Sequence, residues 1–209
     1  MCECIFSLKG AEILDLKETE ISSKQIFQGR ILDLSVRTVK LPNGETSTRE
    51  VIKHKPASGV IAINDEQKML LVKQWREPIK QITLEIPAGL VDSTDASPLD
   101  AMKRELNEEG GYRAEYWEKV SEFYSSPGFC DEKMYLFYCD TLTKLTDKRA
   151  LDEDEFLTSS WYSLDELKTL LAEGKIVDAK TIYAITVWEN MMLRMLRPII
   201  RISYGRKTL

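Results

Sequence analysis

The sequence predicts an α+β fold, a layered sandwich of mixed β-sheets and helices, preceded by an antiparallel β-hairpin segment. Three observations lead there. Apolar residues make up 43% and charged residues 30% of the 209 positions, the balance of a globular chain with a substantial core. Short β-branched runs bounded by turn residues recur through most of the chain. Helix-start signals precede only residues 98, 164 and 179, so strands and helices do not alternate one for one.

The elements follow in order. Residues 31–41 are rich in β-branched side chains and end on Pro42-Asn43-Gly44, a turn signal, so 45–54 is expected to return as the second strand of a hairpin. "GVIAIN" and "KMLLVKQW" flank the polar turn Asp65-Glu66-Gln67 and predict a second hairpin with a buried centre. "ITLEIPAG" reads as one strand, ended by Pro87 and Gly89. Ser97 followed by Pro98 opens a helix. Leu99, Met102 and Leu106 form its apolar stripe, and Gly110-Gly111 ends it. Residues 117–124 and 133–139 read as strands around the loop "SSPGFCDE", and "FLTSSWY" as another. Ser163 with Glu166 forms a capping box for a short helix ending near Gly174. Asp178 caps a final helix expected to stop near Arg197, before Pro198. Two parts are expected: an N-terminal β segment, 1–54, and a main domain, 55–209.

Charge and composition exclude several classes. The net charge of -5 argues against bulk nucleic-acid binding. The start, "MCECIFSLKG", lacks the pattern of a secretory leader. No uncharged apolar run is long enough to span a membrane, and the basic, apolar tail "MMLRMLRPIIRISYGRK" reads as a packed final helix. Four scattered cysteines and one histidine, His54, suit neither a disulfide scaffold nor a zinc site. A reducing cytoplasm fits best, and His54 is read as structural.

The chemistry concentrates in "RELNEEGGY", residues 104–112, where Glu105, Glu108 and Glu109 crowd together. Like charges at i,i+3 and i,i+4 destabilise a helix by about 0.2–0.5 kcal/mol per pair. At 100° per residue, Glu105 and Glu109 project within about 40° of each other, and Glu109 within about 20° of Met102. Both therefore border the core, where a carboxylate needs a counter-charge. Lys103 and Arg104 point elsewhere on an ideal helix, so the cation must come from another segment or from solution, and Mg²⁺ would meet the need. The alternative is an acidic, solvated helix end.

"PAG" at 87–89 followed by "RELNEEGGY" resembles the signature of the Nudix hydrolases: a glycine, a glutamate, then Arg-Glu-apolar-x-Glu-Glu-x-Gly-apolar. Gly89, Arg104, Glu105, Leu106, Glu108, Glu109, Gly111 and Tyr112 match. Asp95 stands where the pattern has its first glutamate, and the stretch from Gly89 to Arg104 is one residue longer than usual. The likeness extends over roughly residues 25–195 and implies a Nudix-like α/β/α sandwich. Pro127, 16 residues after Gly111, together with "VKQWRE", "LEIPAGLVD" and "SPGFCDE", resembles the ADP-ribose (ADP-sugar) pyrophosphatase branch.

That resemblance implies Mg²⁺-dependent (or Mn²⁺-dependent) hydrolysis of ADP-ribose to AMP and ribose 5-phosphate. It implies Glu105, Glu109 and the Ala88 carbonyl as metal ligands, with Glu108 a ligand or the partner of one, and Arg104 orienting a glutamate of the signature. The general base is expected in the acidic loop 152–155, at Glu153 or Glu155. Arg76 and Arg49 are candidates for phosphate or ribose oxygens. Phe27, Trp75 and Trp117 are candidates to stack on the base, Glu85 to hydrogen-bond base or ribose, and Pro127 marks the substrate loop. The alternatives are a broader nucleoside-diphosphate-sugar hydrolase acting on GDP-mannose, ADP-glucose or a dinucleotide, and a non-catalytic ADP-ribose sensor. Related enzymes exchange the N-terminal hairpin across a dimer, so a homodimer is expected, with neither nucleic acid nor membrane as partner.

Overall fold

The computed structural model describes residues 15–151 and 155–204. The described residues form two compact units, one reaching to His54 with Gly128–Cys130, the other Lys55–Pro127 with the residues from Asp131 on.

The first unit is an antiparallel sheet in the order β1-β2-β3, from β1 (Thr19–Gln28), β2 (Asp33–Lys40) and β3 (Thr46–Lys53). The β2–β3 hairpin is the one the turn residues predict. Gly44 takes φ +88° at its tip, and the Asn43 side chain accepts from the Glu45 amide at 3.0 Å. Strand β1 has no counterpart in the sequence reading. All ten of its residues are exposed, so it lacks the buried alternation that marks a strand.

The second unit holds two sheets. One has the order β7-β4-β9-β8, from β4 (Ala57–Ala62), β7 (Ala88–Leu90), β8 (Tyr112–Tyr124) and β9 (Lys133–Lys144). The other has the order β10-β5-β6, from β5 (Lys68–Arg76), β6 (Gln81–Glu85) and β10 (Leu157–Ser163). Pairing is mixed: β4 runs parallel to β9 and antiparallel to β7.

Two sequence expectations are corrected here. The stretches 59–64 and 68–75 do not pair as a hairpin, because β4 and β5 belong to different sheets. Only the mouth of the turn closes, with Asn64 N donating to Lys68 O at 3.0 Å. Every residue of β4 is buried, and its two edges are taken by β7 and β9, so the chain must leave that sheet after the turn. "ITLEIPAG" is likewise two strands. Pro87 lacks a donor to continue the ladder, and the chain passes there from β6 in one sheet to β7 in the other.

Alternation along β4 divides the core. Val60 and Ala62 pack with Met102 and Leu106 on one side. Ile61 and Ile63 pack with Leu167, Ala184, Ile185 and Trp188 on the other. Helix α1 (Pro98–Glu105) thus covers one side, and α2 (Leu164–Ala172) with α3 (Ala179–Tyr204) the other.

Three further details bear on the sequence reading. Ser97 caps α1 with Pro98 at its first position, and Ser163 with Glu166 forms the complete capping box of α2. Helix α1 does not run regularly to Gly110, since its last turn, Leu106–Gly110, is π-helical. Helix α3 does not stop at Pro198 but continues to Tyr204, the proline removing one backbone donor without ending the helix.

Ser97→Ala should remove the cap of α1 and lower stability by about 1 kcal/mol, a fall in Tm of about 2–4 °C. Thermal denaturation of the variant checks this.

Candidate active site

Strand β7 lies at the edge of its sheet, with Gly59 paired to Ala88 and Ser58 to Gly89, and the end of α1 packs over it. Glu109 is 3% exposed and Glu105 8% exposed. Glu109 Oε2 accepts from the Ala88 amide at 2.9 Å, its only side-chain hydrogen bond among the described residues. Glu105 lies against Gly89 so closely that a Cβ there would stand 2.0 Å from its Oε1. Only glycine permits that approach. Glu105 ends α1 and Glu109 lies in the π-helical turn that follows it, a feature frequent at functional sites.

Arg104 organises the rim, and its long side chain reaches back to the adjacent Glu105, against the ideal-helix expectation that it points elsewhere. Its Nη1 donates to Glu105 Oε1 at 2.7 Å and Glu108 Oε2 at 2.9 Å. Its Nη2 donates to the Leu90 carbonyl at 3.0 Å and Asp95 Oδ2 at 3.1 Å, and its Nε to Asp95 Oδ1 at 3.2 Å. The short acid on its long loop does reach Arg104. A turn closes with Asp95 N donating to Asp92 O at 3.1 Å and Asp92 N to Asp95 Oδ2 at 2.9 Å, and it delivers the Asp95 carboxylate to Arg104. The bond from Arg104 holds the Asp95 carboxyl below its usual range.

The electrostatics identify the unusual pair. Burial pushes the Glu105 carboxyl up to about 7, against the pull of Arg104. Burial and then the charge of Glu105 push Glu109 up to about 8. Glu155 adds to the like-charge field at both. Among the described residues no three acids converge as a closed metal cage. Two buried carboxylates and a strand carbonyl are nevertheless hard oxygen donors. They suit a Mg²⁺-like ion, which binds through one or two carboxylates and completes its shell with waters and phosphate oxygens.

A second cluster stands beside the first. Glu85, at the end of β6, is 2% exposed. Arg76 grips it bidentately, Nε to Oε1 at 2.7 Å and Nη2 to Oε2 at 2.6 Å. Thr83 Oγ1 donates to Oε1 at 2.6 Å, and Lys180 Nζ donates to Oε2. Burial alone would raise the Glu85 carboxyl, but Arg76 and Lys180 outweigh it and bring it down to about 2. The field of Glu109 reaches Arg76, and that of Lys180 reaches Glu109.

The other candidates from the sequence are placed as follows. Glu153 lies outside the described residues, whereas Glu155 is described and exposed. Glu85, the candidate for base or ribose, is hydrogen-bonded by Arg76, Lys180 and Thr83. Trp75 is exposed, with its indole N–H on Glu77 at 2.8 Å. Trp117 lines a groove of about 760 Å³ along α1 with Lys103, Arg113 and Arg149, and its indole N–H donates to the Ala114 carbonyl at 3.1 Å. Pro127 is exposed. In the N-terminal unit, Phe27 is exposed and Arg49 is bound by Glu18 and the Thr48 carbonyl. Lys180 and Thr83 were missed. One signal was available, since a lysine in the first turn of a helix opposes the macrodipole and so calls for an acidic partner.

Comparison with known proteins agrees with this site. The NUDIX domain model matches residues 53–185. The chain is 44% identical to the ADP-ribose pyrophosphatase of Bacillus subtilis, over 81% of this chain and 91% of that protein. It is 41% identical to the methanol dehydrogenase activator of Bacillus methanolicus, with the same two coverages. A solved structure described as an ADP compounds hydrolase superposes with a TM-score of 0.76 at 20% identity, covering 86% of this chain and 96% of that one; this is a likeness of fold.

Two predictions follow from the geometry. Gly89→Ala should displace the Glu105 carboxylate and weaken divalent-metal binding by about 10–100-fold, as titration calorimetry would read. The second concerns pH. The folded Glu109 carboxyl sits near 8 against an ordinary 4.5, so the metal-free folded state holds a proton that the unfolded chain has released. Stability should then fall as pH rises from about 4.5 through 8. Glu109→Gln, which mimics the protonated form, should raise the metal-free Tm at pH 8.5 by about 4 °C or more, and leave it nearly unchanged at pH 5.

Proposed function

The chain belongs to the Nudix family, and from that premise we propose that it hydrolyses the diphosphate linkage of ADP-ribose, with Mg²⁺ bound, to AMP and ribose 5-phosphate. The observation that carries this reading is the buried Glu105–Glu109 pair on Ala88 and Gly89, with the Arg76 guanidinium within its field. The substrate reading is supported by the ADP-ribose pyrophosphatase relative that spans most of the chain.

The residues divide the work. Glu105, Glu109 and the Ala88 carbonyl hold the divalent ion, with Glu108 beside them; Mn²⁺ is the natural substitute. When bound, such an ion neutralises the diphosphate oxygens and acidifies a water. Arg104 keeps Glu105 and Glu108 from turning away. Arg76 offers a guanidinium edge to a diphosphate oxygen, the bidentate chemistry that suits arginine. The water's proton passes to an acid of the 152–155 loop, Glu155 or Glu153. The charge of Glu155 is felt at both buried glutamates, which supports placing the base in this loop.

The N-terminal segment, residues 1–54, serves as a dimerising arm in this reading. Ile21, Ile26 and Phe27 of β1 are all more than half exposed, and an uncovered edge strand of this kind is a liability that a second copy would remove. The enzyme works in the cytoplasm, where Cys130 and Cys139 stay as thiols.

A product assay across nucleoside diphosphate sugars with Mg²⁺ should show ADP-ribose cleaved to AMP. Faster release of phosphate from AMP than cleavage of ADP-ribose would refute the assignment. Glu109→Gln should remove most of the turnover. Glu155→Gln or Glu153→Gln should lower kcat by about 10²–10⁴ with little change in substrate affinity; if neither does, the loop holds no base. Light scattering at micromolar protein should give twice the 24.0 kDa chain mass.

A further inference from the structure

Lys180 lies in the first turn of α3, and its side chain is 13% exposed. It joins two acids. Its Nζ donates to Glu85 Oε2 and to Asp178 Oδ1 at 3.0 Å. Asp178 is itself fixed, because its Oδ2 accepts from the Thr181 amide at 3.0 Å and the Thr181 hydroxyl at 2.6 Å. The Thr181 hydroxyl in turn accepts from the buried Ile86 amide at 2.9 Å. Lys180 thus ties the start of α3 to the last residue of β6.

Glu85 has no freedom left. Oε1 receives Arg76 Nε and Thr83, and Oε2 receives Arg76 Nη2 and Lys180. A carboxylate held at both oxygens fixes the plane of the guanidinium that forks onto it. Arg76 Nη1 makes no hydrogen bond among the described residues, and the Arg76 side chain is 42% exposed. Its open edge is therefore presented in a set direction within the field of Glu109.

We propose that Lys180 is a positioning residue for substrate: it locks Glu85, and Glu85 locks Arg76 so that the open Nη1 edge meets a diphosphate oxygen. This rests on the reading in which Arg76 binds the diphosphate. Neither Lys180 nor Glu85 touches substrate. Removing Lys180 frees one side of the Glu85 carboxylate, lets the fork rotate, and loosens ground-state binding more than it slows the reacting centre.

Steady-state kinetics with ADP-ribose and Mg²⁺ on four variants test this. Lys180→Met should raise KM about tenfold, the loss of one charge-assisted contact, with kcat within about twofold of wild type. Lys180→Arg should restore KM to within a few-fold. Arg76→Ala should raise KM at least as much as Lys180→Met, and the double variant should be no worse than Arg76→Ala alone. If Lys180→Met does not fold, Lys180→Gln stands in for it in the same cycle. A Lys180 variant with wild-type KM and only a lowered Tm would overturn the proposal, as would effects that multiply in the double variant. Arg76→Ala with unchanged KM would overturn the diphosphate role of Arg76 instead. Absence of ADP-ribose cleavage by the wild type would overturn the assigned activity.

Discussion

Burial of Glu109 is the constraint from which the site follows. A carboxylate 3% exposed is expensive unless something compensates it, and here, among the described residues, its one side-chain hydrogen bond comes from the Ala88 amide, helped by the field of Lys180. That amide is available because β7 ends a sheet and turns its backbone toward α1. Glu105 is drawn into the same recess only because Gly89 lacks a side chain. Arg104 then pairs with Glu105, Glu108 and Asp95, while Glu109 has no ion pair among the described residues. The result is a recess lined by two buried carboxylates, with the Arg104 guanidinium at its rim.

The two sheets explain how so short a stretch can hold two clusters of opposite character. β4 carries α1 on one side and α2 with α3 on the other. β5 and β6 bring Arg76 and Glu85 from the second sheet. Crossing at Pro87 places Glu85 and Ala88 on successive strands of different sheets, so the Glu105–Glu109 pair and the Arg76–Glu85 pair are set against one piece of backbone. Asp178, Thr181 and Ile86 fasten that crossing to α3.

Much of this was legible in the sequence where local chemistry decides structure. Ser97-Pro98, the Ser163–Glu166 box and Asn43-Gly44 act within a few residues, and each forms as expected. The burial of Glu105 and Glu109 was readable from helical projection onto Met102. What failed depends on distant partners. A turn such as Asp65-Glu66-Gln67 does not reveal that β7 and β9 have already taken both edges of β4. Strand β1, exposed throughout, offers no pattern to read. The partner of Glu85 at Lys180 lies 95 positions away, and a lone lysine after a helix cap is a weak clue to it. Asp95 departs from the family pattern in both length and position, and only the folded turn shows that its carboxylate reaches Arg104.

The crossing at Pro87 acts as a ruler. Glu85 and Ala88 are three peptide steps apart, a span of at most about 10 Å, and no side-chain adjustment can lengthen it. The Asp92–Asp95 loop has room for an added residue because its job is to deliver one carboxylate, and a longer chain can still reach. An insertion between Glu85 and Ala88 would leave each half-site chemically intact and set them at the wrong separation. Length variation in descendants of this sequence should therefore accumulate after Leu90 and be absent from the Glu85–Ala88 interval, even where individual side chains there change.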